Sequence, residues 1–216
     1  MKAEKGSLDH RGFAVERLGV GDWPRTDHKA QTVIDLETWD ALSDPFSKAL
    51  DPVTLAFDAS PDRRASISVA AKRSDDLWHV ELVDDRPGTG WVADRIEQLV
   101  KTHRPQAVVC DGYGPAGSLV DVLAERNIDV KTLNASEHAR ACARLVDAIE
   151  QKVLRHVPDD ALMGAVCSAQ TRPLGDAWAW SRKNSSGNIS PLVSATLALS
   201  VAMTMEKPRT VAFAWG

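Results

Sequence analysis

The stretch DPVTLAFDASPDRRASISVAAKRSDDLWHVEL (residues 51–82) holds three strands in a row. Val53 to Phe57 is a short apolar run that ends on Asp58. Ile67, Val69 and Ala71 alternate with Ser68 and Ala70, which predicts a second strand over 65–71. Trp78, Val80 and Leu82 alternate with His79 and Glu81 and predict a third. The links, Ser60-Pro61-Asp62 and Ser74-Asp75-Asp76, are short and rich in turn formers. Three strands so joined form an antiparallel meander.

Downstream, helical spacing takes over. Trp91, Ile96, Leu99 and Val100 form one stripe, and His103-Arg104-Pro105 stops it. Ala107 to Cys110 is an unbroken apolar run, as expected of a strand buried on both faces. Leu119, Val122 and Leu123 mark a helix, and Val130 to Leu133 another strand. Long helical stretches are predicted over 136–156 and 159–171, then a short strand or hairpin through Trp178 and Trp180. A last helix spans about 191–203, with Ser190 as its N-cap and Pro191 in its first position. Three antiparallel strands that feed parallel βα units make a mixed sheet covered by helices. That is the ribonuclease-H-like order, so the fold class is α/β.

Upstream, residues 1–50 differ. They carry Gly19, Gly21 and Pro24 and only short apolar patches such as Val33-Ile34 and Trp39. They read as an arm or linker, helical near Leu36 to Leu42, before a ribonuclease-H-like domain over 51–216. The 216 residues suit one domain plus such an arm. With 44% hydrophobic and 26% charged residues the composition is that of a globular protein. No apolar run approaches the roughly 20 residues needed to span a membrane. Met1 to Gly6 has charges and no apolar core, so no secretory signal is read. Cys110, Cys142 and Cys167 follow no metal-ligand spacing and read as buried thiols in a reducing compartment. The net charge of −4 counts mildly against nucleic acid as partner, although an acidic metal centre needs only a local basic rim.

Two strand-end carboxylates stand out. Asp58 reads either as a turn aspartate bonding its own backbone or as a functional group. Asp111 closes Val108-Val109-Cys110, where a carboxylate is costly to desolvate unless something pairs with it and where open α/β sheets place their sites. In a ribonuclease-H-like sheet the first and fourth strands are neighbours, which sets the two side by side. A divalent cation between them resolves their repulsion, as in two-metal nucleases with ions roughly 3.5–4 Å apart. Gly112-Tyr113-Gly114-Pro115-Ala116-Gly117 also spells a G-x-G-x-x-G turn. A dinucleotide reading is opposed by Asp111 at the turn and by Asn134 where a ribose-binding acid is expected. A tight turn with Pro115 starting the helix is simpler.

The six histidines form no H-x-x-x-H pair and no P-loop is present, which argues against a zinc site and against ATP binding. Trp178 and Trp180, with Arg182 and Lys183, either touch nucleic acid or pack on the core. Arg140, Arg144, Lys152 and Arg155, placed in one long helix, offer a basic rim or a solvated face.

The segment Trp178-Ala179-Trp180-Ser181-Arg182, followed by Asn188-Ile189-Ser190-Pro191-Leu192-Val193-Ser194-Ala195-Thr196-Leu197-Ala198, resembles the closing signature of tailed-phage terminase large subunits, especially those of actinobacterial phages. Glu16-Arg17-Leu18-Gly19-Val20-Gly21-Asp22-Trp23 resembles the stretch that joins their ATPase to their nuclease. The pieces around Asp58, Asp111 and Leu154-Arg155-His156 fit as well, so the resemblance covers nearly the whole chain. It implies an endonuclease that cuts concatemeric viral DNA at the start and end of packaging, with two Mg²⁺ or Mn²⁺ ions. It implies double-stranded DNA, a separate ATPase domain, the terminase small subunit and the portal as partners. It also implies the host cell cytoplasm as location, no membrane, and a monomeric isolated domain. The chain then reads as an excised nuclease domain or as the product of a split gene.

One position departs from the pattern. The family carries aspartate just before Ile-Ser-Pro-Leu as its third metal-binding carboxylate, and this chain has Asn188. An amide oxygen carries no charge and holds a hard cation less well. Asn188 is then a natural variant or a silencing substitution, or another acid such as Asp176 or Asp160 takes the role. The expected site is Asp58, Asp111 and Asn188, with the Asn188 side chain turned toward the pair. Two other readings stay open: a non-catalytic domain that docks DNA or the portal, and a junction-resolvase-like nuclease.

Overall fold

The computed structural model describes residues 32–205; the Glu16–Trp23 stretch lies outside them. The meander forms as expected: β1 (Thr54–Ala59), β2 (Arg64–Lys72) and β3 (Trp78–Pro87) pair antiparallel in sequence. β4 (Ala107–Asp111) adds parallel to β1, and β5 (Val130–Leu133) parallel to β4. β6 (Leu154–His156) joins the far edge parallel to β3, giving the order β5-β4-β1-β2-β3-β6. This is the mixed, ribonuclease-H-like sheet that the element order predicts.

Helices cover both faces. On one face lie α2 (Val92–His103) and the short α3 (Val120–Ala124), which follows a 3-10 turn over Pro115–Leu119. Val92, Ile96 and Leu99 form the buried stripe of α2, and Arg104 ends it in the left-handed conformation (φ 47°) before Pro105. On the other face lie α4 (Ala135–Glu150), α5 (Asp160–Ser168) and α6 (Ser190–Met205). Asn134 and Glu137 close a reciprocal capping box at the start of α4. The α6 residues from Ser190 to Ala202 are all buried. Small side chains let this helix settle onto β2: Ser66 Oγ lies 3.0 Å from Ser190 Oγ, and Ser68 and Ser194 share a bond of 2.7 Å. The β7–β8 hairpin (Thr171–Leu174, Ala177–Trp180) buries Trp180, whose indole N–H donates to Thr196 Oγ1 at 3.0 Å. Trp178 packs edge-on against Trp180, so these tryptophans serve the core.

Several expectations need correction. Part of the stretch read as linker is packed: α1 (Leu36–Ala41) lies against α4 and the edge strand β6, with Ile34, Trp39 and Leu42 in the core. The helix predicted over 136–156 ends at Glu150. Lys152 turns left-handed (φ 58°), and Leu154 and His156 then face inward from an edge strand, His156 stacked on Trp39 at 4.0 Å. Lys152 and Arg155 therefore lie outside the helix that carries Arg140 and Arg144, and Arg144 is engaged with Ser200 and Thr204 of α6. No single helical face carries the four cations. The helix predicted over 159–171 stops at Ser168, and Thr171 opens the hairpin. Cys110 and Cys142 are buried, but Cys167 is exposed.

Candidate metal centre

Asp58 and Asp111 are placed by strand pairing. Ala56 of β1 stands beside Val109 of β4 in parallel register, so two residues on, the carboxylates emerge together on the α4–α6 face. Asp58 is fully buried and Asp111 is 5% exposed. Burying two anions side by side demands a cation, and Arg182 supplies it. Its Nε donates to Asp58 Oδ2 (3.0 Å), and its Nη2 donates to Asp58 Oδ1 (2.6 Å) and to Asp111 Oδ2 (3.1 Å). Asp58 Oδ1 and Asp111 Oδ2 are thus at most 5.7 Å apart, those last two distances laid end to end.

Asp111 is oriented by two more groups. Its Oδ1 accepts from the Tyr113 backbone N–H (3.0 Å), and its Oδ2 lies 3.1 Å from His138 Nδ1 in the first turn of α4. With Asp111 ionised, the ring's Nδ1 is the donor in that contact. Its Nε2 is buried and meets no hydrogen-bond partner. Burial opposes the charge on Asp111, but the His138 hydrogen bond and the Arg182 charge prevail and hold its carboxyl well below the usual range. Burial raises Asp58, and Arg182 opposes that rise. The same desolvation, helped by the two carboxylates, pushes the neighbouring Cys110 thiol up to about 12.

The glycines after Asp111 make this packing possible. A Cβ on Gly114 would lie 3.1 Å from Arg182 Nη2 and 3.2 Å from Asp111 Oδ2, and one on Gly117 would lie 2.7 Å from the Gly112 carbonyl oxygen. The G-x-G-x-x-G turn thus admits the guanidinium and closes on itself. Tyr113, on the same turn, is 83% exposed.

Asn188 stands at the start of α6, on the rim of a cleft of about 300 Å³ that Arg182 also lines. Its Oδ1 accepts from the backbone N–H (3.0 Å) and hydroxyl (2.6 Å) of Ser190, so Asn188, rather than Ser190, provides the helix cap. Its Nδ2 faces Asp85 Oδ1 at 3.4 Å. The side chain is thus turned to Ser190 and Asp85 and makes no hydrogen bond to Asp58 or Asp111. Asp176 lies in the β7–β8 turn and Asp160 in the first turn of α5; neither bonds to the pair. Among the described residues, no three His, Cys, Asp or Glu side chains gather closely enough to hold an ion.

No family model and no curated protein matches the chain. Solved structures do. The large terminase of bacteriophage HK97 superposes with a TM-score of 0.65 at 11% identity, over 79% of this chain and 43% of that one. The chain has the fold of a phage large-terminase nuclease domain. The large terminase nuclease of thermophilic phage G20c aligns with a TM-score of 0.57 at 12% identity, over 77% of this chain and 96% of that domain. A K428A mutant nuclease domain of the Sf6 large terminase subunit, solved with manganese, gives 0.57 at 15% identity, over 80% and 98%. The chain therefore spans under half of the HK97 protein and nearly the whole of the isolated nuclease domains.

Sequence reading brings Asp58 and Asp111 together but passes over His138 and gives Arg182 only a role beside Lys183. A signal existed for His138: a residue in the first turn of the helix after β5 faces the end of β4, where Asp111 sits. For Arg182 no local pattern existed, because its partners lie 124 and 71 residues away.

Proposed function

We propose that this domain is a divalent-metal-dependent DNA endonuclease of a viral DNA-packaging terminase, acting on concatemeric double-stranded DNA. The observation that carries the reading is the buried Asp58–Asp111 pair sharing one cation at two strand ends. The donor set suits a hard dication, since carboxylate oxygens converge from two sides on the point that Arg182 Nη2 fills. Asp58 and Asp111 would hold Mg²⁺ or Mn²⁺; Asn188, the third position that the family resemblance implies, would have to release its Ser190 contacts to join them. When bound, such ions supply an activated water and stabilise the leaving oxygen of a phosphodiester.

The chain's own residues do the rest. His138 fixes the Asp111 carboxylate, so that its Oδ1 keeps the Tyr113 amide and its Oδ2 faces Asp58. Arg182 opposes the burial that raises both carboxyls and must give way to an incoming dication. Tyr113, on the turn after Asp111, and Lys183, next to Arg182, are exposed and would be available to the nucleic acid. Partners proposed with this reading are the terminase ATPase domain, small subunit and portal. Host cytoplasm and a monomeric isolated domain go with it; no helix among the described residues is long and apolar enough to cross a membrane.

A second reading has two observations in its favour: Arg182 already fills the space between the pair, and Asn188 adds no charge. It is a domain that docks DNA or the portal without cutting. Supercoiled plasmid incubated with the protein in Mn²⁺ and in EDTA separates the two. Nicking only with Mn²⁺ supports the nuclease. DNA retained on the protein with no nicking at any concentration supports docking.

A further inference from the structure

We infer that Tyr113 is a stacking platform for an unpaired base beside the Asp58–Asp111 pair, so that the domain takes DNA whose strands are locally open in preference to continuous duplex. The inference rests on the nucleic-acid reading above and needs no metal. Tyr113 is the chain's single tyrosine. Its backbone N–H donates to Asp111 Oδ1 (3.0 Å), so its Cα lies at most about 4.5 Å from that oxygen. The turn around it is fixed. The Gly112 N–H donates to the Leu133 carbonyl (3.2 Å) and the Gly114 N–H to the Asp111 carbonyl (3.2 Å). A Cβ on Gly112 would lie 3.0 Å from Thr132 Cβ, and one on Gly114 would meet Arg182. The turn is therefore wedged between β5 and the guanidinium, and the one side chain between those glycines stands out in solvent.

What this ring can hold follows from its surroundings. Gly112 to Leu119 carries no charged side chain, and the guanidinium behind the turn is bound to Asp58 and Asp111. A phosphate brought to the turn would meet no cationic side chain of the turn itself. An aromatic face attracts without charge, and a base of any identity stacks on it. Inside a continuous duplex both faces of a base are covered by its neighbours, so only a base that has left the stack offers a free face. A lone ring held at the carboxylate pair thus suits a base unstacked beside the phosphodiester to be cut. Other exposed apolar side chains do not share the place. Phe46 and Leu50 lie on a segment whose Ser47 and Leu50 contact Arg73 and Lys72, at the end of β2 away from the pair.

Binding of the whole chain to two labelled DNAs of equal length tests this, by fluorescence anisotropy in EDTA and low salt. One DNA is a continuous duplex, and the other carries a short run of mismatched bases at its centre. The wild type should bind the opened DNA more tightly. Tyr113→Ala should weaken that binding by roughly 5- to 150-fold, the range for one base stacked on an aromatic side chain, and leave duplex binding nearly unchanged. Tyr113→Phe and Tyr113→Trp should keep the preference, since each retains a ring. A fluorescent aminopurine among the mismatched bases should be quenched by the wild type and not by Tyr113→Ala. The ring is exposed and the Asp111 contact is made by the backbone, so the variants should melt like the wild type. Equal affinity of the wild type for both DNAs, or a Tyr113→Ala loss that is the same on both, overturns this inference alone. Failure to bind either DNA removes the nucleic-acid reading and the inference with it.

Discussion

Arg182→Met removes the guanidinium that binds both oxygens of Asp58 and one of Asp111, while keeping an unbranched side chain of similar reach. Asp58 is wholly buried and the Arg182 side chain only 14% exposed, so solvent does little to screen the loss. Breaking a buried pair from one side costs about 3–5 kcal/mol. At about 2–4 °C per kcal/mol for a domain of this size, the melting temperature in EDTA should fall by roughly 10 °C. Mn²⁺ should return much of it, since a ligand at about 100 times its Kd adds about 2.7 kcal/mol. The Mn²⁺-induced rise should be larger in the variant than in the wild type, where the ion must first displace the guanidinium. The pH dependence has a definite sign. Asp58 is already raised by burial, and losing Arg182 raises it further. A carboxyl with a raised folded pKa gains stability as pH falls through that value, so the deficit of the variant should shrink from pH 7.5 to pH 5. Differential scanning calorimetry reads all three effects. A variant that melts like the wild type in EDTA and shows the same Mn²⁺ shift would refute the idea that Arg182 holds the place of a metal.

Other consequences follow from single contacts. His138→Ala removes the group that orients Asp111 and should weaken Mn²⁺ binding by about 10–100-fold, as outer partners of a ligand do; titration calorimetry checks it. Thr196→Val leaves the buried Trp180 N–H without an acceptor and should cost about 1–3 kcal/mol in urea unfolding. Ellman's reagent should find one reactive thiol per native chain, Cys167, and three in denaturant, because burial pushes Cys110 and Cys142 up to about 12. DNA binding in the absence of metal should weaken steeply between low and physiological salt, as expected when cationic side chains contact phosphates; a salt-independent affinity would point to another partner.

The fold was legible wherever short-range alternation decided it. Ile67/Val69 and Trp78/Val80/Leu82 set the meander, and the apolar run before Asp111 announced a doubly covered strand. Reading failed where local pattern and tertiary context part. Leu154 and His156 continue a helical-looking stretch, and only the left-handed turn at Lys152 and the free edge of β3 make them a strand. Trp39 looked isolated in a polar arm because its partner, His156, lies 117 residues on. The pairing of Asp58 with Asp111 followed from topology alone. What joins them did not, since the Arg182 contact depends on side-chain placement that periodicity does not encode.

The most direct test of the metal centre is a crystal of the wild-type domain soaked in Mn²⁺, with anomalous diffraction recorded at the manganese edge. The account predicts a peak between the Asp58 and Asp111 carboxylates, with Arg182 swung away from both. Saturating Mn²⁺ that leaves no peak there, and Arg182 still bonded to Asp58 and Asp111, would contradict it.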